Sequence, residues 1–455
     1  MNNKHLRPTE SRGFTGSATL VTRTTTTSSL RMLLASFVSS ILLATLCLAD
    51  DWPQWRGPQR NGVSTETGLL QQWANEGPTL LWHVKDLGAG FSTPAVAGER
   101  LYVLSNEGTA HEFVQARDVK DGTQIWSTHI GKVGNPDQQP NYPGARSTPT
   151  VDGESLYALG SDGDLVCLAT EDGEVRWRKH LRTDFGGKPG RWAYAESPLV
   201  DGDTLVCAPG GTEATIVALD KHTGAVIWKC ALPESDEAAY ASAIVVEVDG
   251  VRQYVHLLQK GLVGVAAETG ELLWRYEKPV SNFNANIPTP VASEGRIYAA
   301  SAGTGGGVVQ LSAGNARLET KELYFGSKLP TAIGGCVKVG DFLYGTTGQA
   351  MLCVAFATGE VKWEARALGA ASICYADGRL YLHGENGEVA LVEPSPESYR
   401  EKGRLTPPER PQHTTEMEKA WAYPVVANGR LYLREGESLW CYDITAAGTQ
   451  RDGSQ

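Results

Sequence analysis

The residues best equipped to do chemistry fall in four polar, aromatic-rich stretches. Residues 128–146 (THIGKVGNPDQQPNYPGAR) carry Gln139, Tyr142 and Arg146, and residues 182–196 (RTDFGGKPGRWAYAE) carry Arg191, Trp192, Tyr194 and Glu196. Residues 278–287 (KPVSNFNANI) add Asn284 and Asn286, and residues 413–423 (HTTEMEKAWAY) add Trp421 and Tyr423. Amides, guanidinium groups and aromatic faces suit recognition of a polar ligand, a glycan or a peptide segment. No Ser-His-Asp signature, HExxH or phosphate-binding glycine loop is present, so no catalytic residue is assigned. Asp162-Gly163-Asp164 lacks the spacing of a calcium loop, and GTGGG at 303–307 precedes no helix, so neither a metal nor a phosphate site is assigned. The competing reading is that the polar residues satisfy loop backbone and the aromatics pack as wedges.

Positioning these stretches requires a rigid scaffold, and an internal repeat supplies one. A glycine, three residues and a tryptophan recur in DGTQIW, DGEVRW, TGAVIW, TGELLW and TGEVKW, ending at Trp126, Trp177, Trp228, Trp274 and Trp363. The last gap is twice the usual spacing, so a degenerate unit is expected near Leu323 and Tyr324. A second series, small-Pro-x-Val-x-x-Gly-x-Leu-Tyr, recurs eight times, from Ser92 to Tyr423. Three or four short strands per unit at this period predict an all-β, eight-bladed β-propeller of four-stranded blades. The last unit lacks its terminal strand. The segment GPTLLW, ending at Trp82, is expected to supply it and close the ring, beside residues 439–442. The four stretches then become crossover loops on one rim, with Arg146 and Glu196 immediately before inner strands, either as an ion pair or as a ligand clamp.

The expected organisation is a targeting segment at 1–49, a segment at 50–76 wrapping the outside with Trp52 and Trp55 as anchors, the propeller at 77–445 and a loose tail at 446–455. The lead has five basic residues, an apolar run from Met32 to Leu46 and small residues before a cut near Ala49. It reads as a cleaved signal peptide, with an uncleaved anchor as the alternative and the only membrane contact. A periplasmic or secreted location follows. The 455-residue chain has a net charge of −11, which becomes −15 without the lead. That balance argues against nucleic acid as a partner and favours a soluble monomer. The seven cysteines after the lead (Cys167, Cys207, Cys230, Cys336, Cys353, Cys374, Cys441) form no CxxC and read as buried small hydrophobes.

ALDKHTGAVIW at 218–228 resembles the pyrroloquinoline-quinone (PQQ) propeller repeat, and the resemblance extends from about Trp82 to Tyr442. It implies the same eight-bladed fold, with Trp82, Trp126, Trp177, Trp228, Trp274 and Trp363 docking blades. That family includes both quinoprotein alcohol dehydrogenases and the lipoprotein propeller of the outer-membrane barrel assembly machinery. Its redox members carry adjacent cysteines over the cofactor and, when haem-fused, CxxCH; neither occurs here. The resulting expectation is a non-catalytic binding or scaffold module without cofactor, whose rim takes protein or a polar ligand. The alternative is a quinoprotein-type dehydrogenase using PQQ and Ca²⁺ on an alcohol or sugar.

Overall fold

The computed structural model describes residues 51–446 apart from 234–235, 282–284, 315–317 and 413–418. The lead at 1–49, the tail beyond residue 446 and the candidate Asn284 lie outside the described residues. The strands form eight four-stranded antiparallel sheets, each built from consecutive strands except the last. Blade two shows the pattern, with strands Thr150–Asp152, Ser155–Leu159, Asp164–Ala169 and Val175–His180 from axis to periphery. Short alternating runs bury both faces of the middle strands between neighbouring blades. In the eighth sheet the outer strand is Thr79–Val84, which pairs with Ser438–Asp443. Leu80 lies opposite Tyr442 and Trp82 opposite Cys441, so the two ends of the propeller close the ring as the repeat arithmetic requires.

The Gly-x-x-x-Trp motif is a joint between blades. Trp82, Trp126, Trp177 and Trp363 each lie near a tyrosine of their own blade and Trp228 lies near Tyr254 of the next, and all five donate the indole N–H to a carbonyl of the next blade. Trp126 sits 5.9 Å from Tyr102 and bonds Thr170 O at 3.1 Å. Trp82 bonds Val119 O, Trp177 bonds Lys221 O, Trp228 bonds Ala267 O and Trp363 bonds Ser395 O. Trp274 departs from the pattern and bonds Gln253 of its own blade at 2.5 Å. In the degenerate fifth blade Tyr324 takes the tryptophan's place, its hydroxyl donating to Phe356 O at 3.0 Å. Blade seven has Gly403 at that position, on strand Arg400–Leu405. Trp73 from the N-terminal segment fills the gap, 6.1 Å from Tyr381, and a Cβ on residue 403 would come within 2.5 Å of it.

The motif's glycine answers the preceding blade's tryptophan. Gly224 has φ +70° and a Cβ built there would stand 3.0 Å from the Trp177 ring. Gly224→Val therefore meets both a left-handed backbone and a ring face. It is expected to cost about 2–3 kcal/mol, read as a lowered urea midpoint. An unchanged midpoint would show that the joint yields freely.

Around the axis the innermost strands of neighbouring blades do not pair with one another, and side-chain hydroxyls join several of them instead. Ser92 Oγ donates to Ser147 O, Thr150 Oγ1 donates to Pro198 O, and the hydroxyl oxygens of Ser197, Ser242 and Thr93 accept from Thr148 N, Ser197 N and Tyr423 N. This explains the small hydroxylated residue that opens most of the repeats. The proline beside it removes an N–H that the strand edge would leave unpaired.

The N-terminal segment corrects the sequence expectation. Rather than wrapping the outside, residues 52–64 run through the central channel and touch all eight blades. Trp52 exchanges backbone bonds with Val96 of blade one, and Pro53 O accepts from Val151 N of blade two. The Arg60 guanidinium donates to Ser197 O and Pro198 O before blade three and to Ala243 O before blade four. Trp55 bonds Thr289 beside blade five at 2.8 Å, and Arg56 bonds Cys336 O of blade six at 2.5 Å. Gly62 and Ser64 pair with Tyr375 of blade seven, and Trp55 meets Tyr423 at the entry to blade eight, 4.6 Å between ring centres. Strand edges converging on the axis present carbonyls that must find donors, and arginines with several N–H groups serve several blades at once. Beyond the channel, Glu66 accepts from Asn428 N and Gly429 N, and Trp73 N bonds Lys402 O at the outer edge of blade seven.

Candidate ligand-binding site

The channel-spanning segment converts the central hole into a blind cavity. Crossover loops entering the inner strands form its wall, and Trp55 lies among its lining residues at the level of Tyr423. The cavity is about 240 Å³ and is lined by Trp55, Phe91, Thr93, Tyr142, Arg146, Trp192, Ala195, Tyr240, Ala285, Ile287, Ile333, Trp421 and Tyr423. Its aromatic rings form a continuous arc. Tyr240 and Trp192 are 6.0 Å apart, Trp192 and Tyr142 6.1 Å, Tyr142 and Trp421 5.0 Å, and Trp421 and Phe91 5.1 Å. The Arg146 guanidinium stands over Phe91 at 5.9 Å. Small residues let the rings approach: a Cβ on Gly190 would stand 2.6 Å from the Tyr240 hydroxyl.

Of the residues singled out from sequence, Tyr142, Arg146, Trp192, Trp421 and Tyr423 meet in this cavity. Gln139 and Arg191 stay on the outer rim. The Arg191 guanidinium donates to Gln139 O at 2.7 Å and stacks 5.2 Å from the Trp192 ring. Three others lie inside the scaffold. Tyr194 is buried and donates its hydroxyl to Pro209 O. Asn286 is buried and ties loop to strand, its amide donating to Leu258 O and Gln259 O and its oxygen accepting from Ser281 N. Glu196 is buried 3.2 Å from His256 and accepts from Ala208 N. The pairing imagined between Arg146 and Glu196 is therefore replaced by a Glu196–His256 pair, leaving Arg146 to the cavity. The alternation of a short strand turns each side chain to one side or the other, and the irregular loops before these strands hide that parity.

Sequence reasoning missed Phe91, Tyr240, Ile287, Ile333 and the channel residue Trp55. A signal existed for Phe91, which stands before Ser92 just as Arg146 stands before Ser147. Aligning the residue before every inner-strand serine would have placed it on the rim. No such register exists for Trp55, which lies outside the repeat.

Burial sets the electrostatics. It lowers Arg146 to about 10 and pushes the Tyr240 hydroxyl up to about 12, so at neutral pH the first is a cation and the second neutral. Glu112, acting on Arg146 from a distance, accepts from Ser161 N and Oγ at 2.9 and 2.8 Å, and burial pushes it up to about 7. The folded protein therefore keeps a proton that the unfolded chain releases as the pH passes about 4.5. This group's contribution to stability is greatest below that pH, falls as the pH rises to about 7 and is level above it. Glu112→Gln should remove this slope and stabilise the protein at pH 8 by about 2–3 kcal/mol. Thermal unfolding at pH 5 and pH 8 checks it, and an equal shift at both would exclude the protonation argument.

Asp162, Asp164 and His180 also converge, with ligand-type atoms within 4.8 Å. Arg182 at 3.1 Å and Lys132 at 3.7 Å already offset Asp162, so the cluster is a salt-bridge network holding the loop.

A family model described as outer membrane protein assembly factor BamB matches residues 110–365. The BamB of Shewanella oneidensis is 26% identical over 174 residues, covering 36% of this chain and 40% of that protein. The BamB of Yersinia pestis is 24% identical over 243 residues, covering 49% and 56%. The chain thus spans about half or less of the length of these curated relatives. Among solved structures, BamB from Moraxella catarrhalis superposes with a TM-score of 0.56 at 14% identity, over 80% of this chain and 99% of that one. The quinohemoprotein alcohol dehydrogenase ADHIIG from Pseudomonas putida HK5 superposes with a TM-score of 0.51 at 11% identity, over 89% and 82%. At such identities the superpositions establish the shared fold alone.

Proposed function

The chain belongs to the family of outer membrane protein assembly factor BamB, and on that footing we propose that it is a non-catalytic binding propeller of the bacterial envelope. In this reading it works as a monomer outside the cytoplasm, after loss of the lead at 1–49, and its rim holds a protein partner engaged in assembling outer-membrane proteins. The observation that carries the proposal is the aromatic mouth. A rigid ring presents Trp192, Trp421 and Tyr142 together on crossover loops, where large rings of low conformational entropy make strong binding contacts. A quinone with Ca²⁺ would need carboxylate or amide oxygens around the ion. Among the described residues the cavity lining supplies none, which favours the binding reading over the dehydrogenase.

The test is affinity purification of the tagged full chain from envelopes of its own cells. A stoichiometric outer-membrane assembly subunit is expected, lost at least tenfold in Trp192→Ala. A chain that purifies without any such subunit would overturn the proposal. So would dye reduction with an alcohol after addition of PQQ and Ca²⁺.

A further inference from the structure

We propose that the channel-mouth cavity binds a flat, apolar group carrying one carboxylate, with the Arg146 guanidinium as its anchor. This rests on the reading of the mouth as a binding site and names the chemistry that the site takes.

The first argument is the state of Arg146. Its guanidinium makes one side-chain hydrogen bond, to Gly144 O at 3.2 Å, and no carboxylate lies within ion-pairing distance among the described residues. The one carboxyl acting on it from further away, Glu112, is committed to Ser161. Several N–H donors thus remain for an incoming anion, and the Phe91 ring beneath holds the planar group in place. Arg60 and Arg434 instead spend their donors on backbone carbonyls, and the partly buried Arg410 is paired with Glu435.

The second argument is what surrounds it. The polar atoms of the wall are already used within the protein: Trp192 Nε1 donates to Pro140 O, Trp192 N donates to the Tyr240 hydroxyl, and the Tyr423 hydroxyl donates to Ile333 O. A sugar bringing several hydroxyls would leave them unpaired, at about 1–3 kcal/mol each. A ring system loses nothing by stacking against Trp192, Tyr142 and Trp421. One further donor, Trp421 Nε1, is buried without a partner. One cation matches one carboxylate, and the volume of about 240 Å³ admits an aryl group with a short acid arm.

The same chemistry could come from a free aryl acid or from a polypeptide ending in an aromatic residue. Isothermal titration of the full chain distinguishes them. The probes are 3-phenylpropionate, 3-phenylpropanamide, and a pentapeptide ending in phenylalanine as its acid and as its amide. One-to-one binding of at least one acid is expected, with its amide at least tenfold weaker. Arg146→Gln should erase the preference between acid and amide, whereas Trp192→Ala should weaken both alike. Binding of the small acid but not the peptide assigns a metabolite; the reverse assigns a chain end. Equal binding of acid and amide by the unaltered protein, or no binding of either acid at millimolar concentration, overturns the proposal. That comparison needs no variant, so a folding defect in Arg146→Gln does not weaken it. A protein partner retained by Arg146→Gln while acid selectivity is absent would refute this ligand assignment and leave the binding function standing.

Discussion

Deletion of residues 51–64 is expected to abolish cooperative unfolding of the propeller, although the deleted segment contributes no strand to any blade. The segment supplies hydrogen bonds to the inner edges of blades one to seven and a ring contact at the entry to blade eight, and its removal opens each edge to water-filled space. Trp52 is 1% exposed, and losing a side chain buried to that degree costs about 3–5 kcal/mol. Arg60 leaves three backbone carbonyls without their donor, at about 1–3 kcal/mol each where water cannot reach. Backbone pairing with Val96, Val151 and Tyr375 goes as well. Domains of ordinary stability hold only about 5–15 kcal/mol in reserve, so the sum exceeds what the ring can lose. The expected result is a chain with strand-type far-ultraviolet dichroism but no near-ultraviolet signal and no sigmoidal urea transition. A chain starting at Thr65 that unfolds at the midpoint of one starting at Asp51 would show that the segment is an ornament. An outside wrap, as the sequence suggested, would predict that second outcome.

The contrast shows what a sequence of this kind discloses. Strand order and blade count were legible because each rests on a local pattern that recurs in eight units. Even the closing partner of Ser438–Asp443 could be found by asking which unit lacked a strand. Tyr324 was legible for the same reason, as the unit left over in a doubled gap. The course of residues 52–64 was not, because it is fixed by one or two separate contacts to each of eight different blades and leaves no period. Trp73 lies between the two cases. Its role follows from the missing tryptophan at Gly403, but only once blade seven is known to need one. The mouth was legible to the level of loops and not of side chains. Position in a crossover loop marked Tyr142, Arg146, Trp192 and Trp421, whereas burial turned Tyr194, Glu196 and Asn286 inward.

Arg434→Met is expected to open the ring at its seam, lowering stability by about 4 kcal/mol. Covalent continuity is missing inside blade eight, where Thr79–Val84, which runs directly on into blade one, is held to Ser438–Asp443 only by non-covalent pairing. Side chains compensate there. Trp82 and Arg430 both donate to Val119 O, and Tyr423 N reaches Thr93. Arg434, fully buried on strand Arg430–Glu435, does most: it donates to Ser92 O at 3.0 Å, Leu104 O at 2.6 Å, Ala89 O at 3.2 Å and Ser105 Oγ at 3.2 Å, all on blade one or its entry loop. No carboxylate pairs with it among the described residues, and burial lowers it to about 9, so it stays charged at neutral pH and the carbonyls serve as its counter-charge. Methionine fills the volume but leaves those acceptors bare. Lysine separates charge from geometry, since a single ammonium cannot reach all of these separated acceptors as the guanidinium fork does. Arg434→Lys should therefore lose nearly as much as Arg434→Met in urea unfolding. A lysine variant close to the parent would show that charge alone holds the seam. A methionine variant close to the parent would show that the hydrogen bonds of Trp82 and the pairing of Thr79–Val84 suffice.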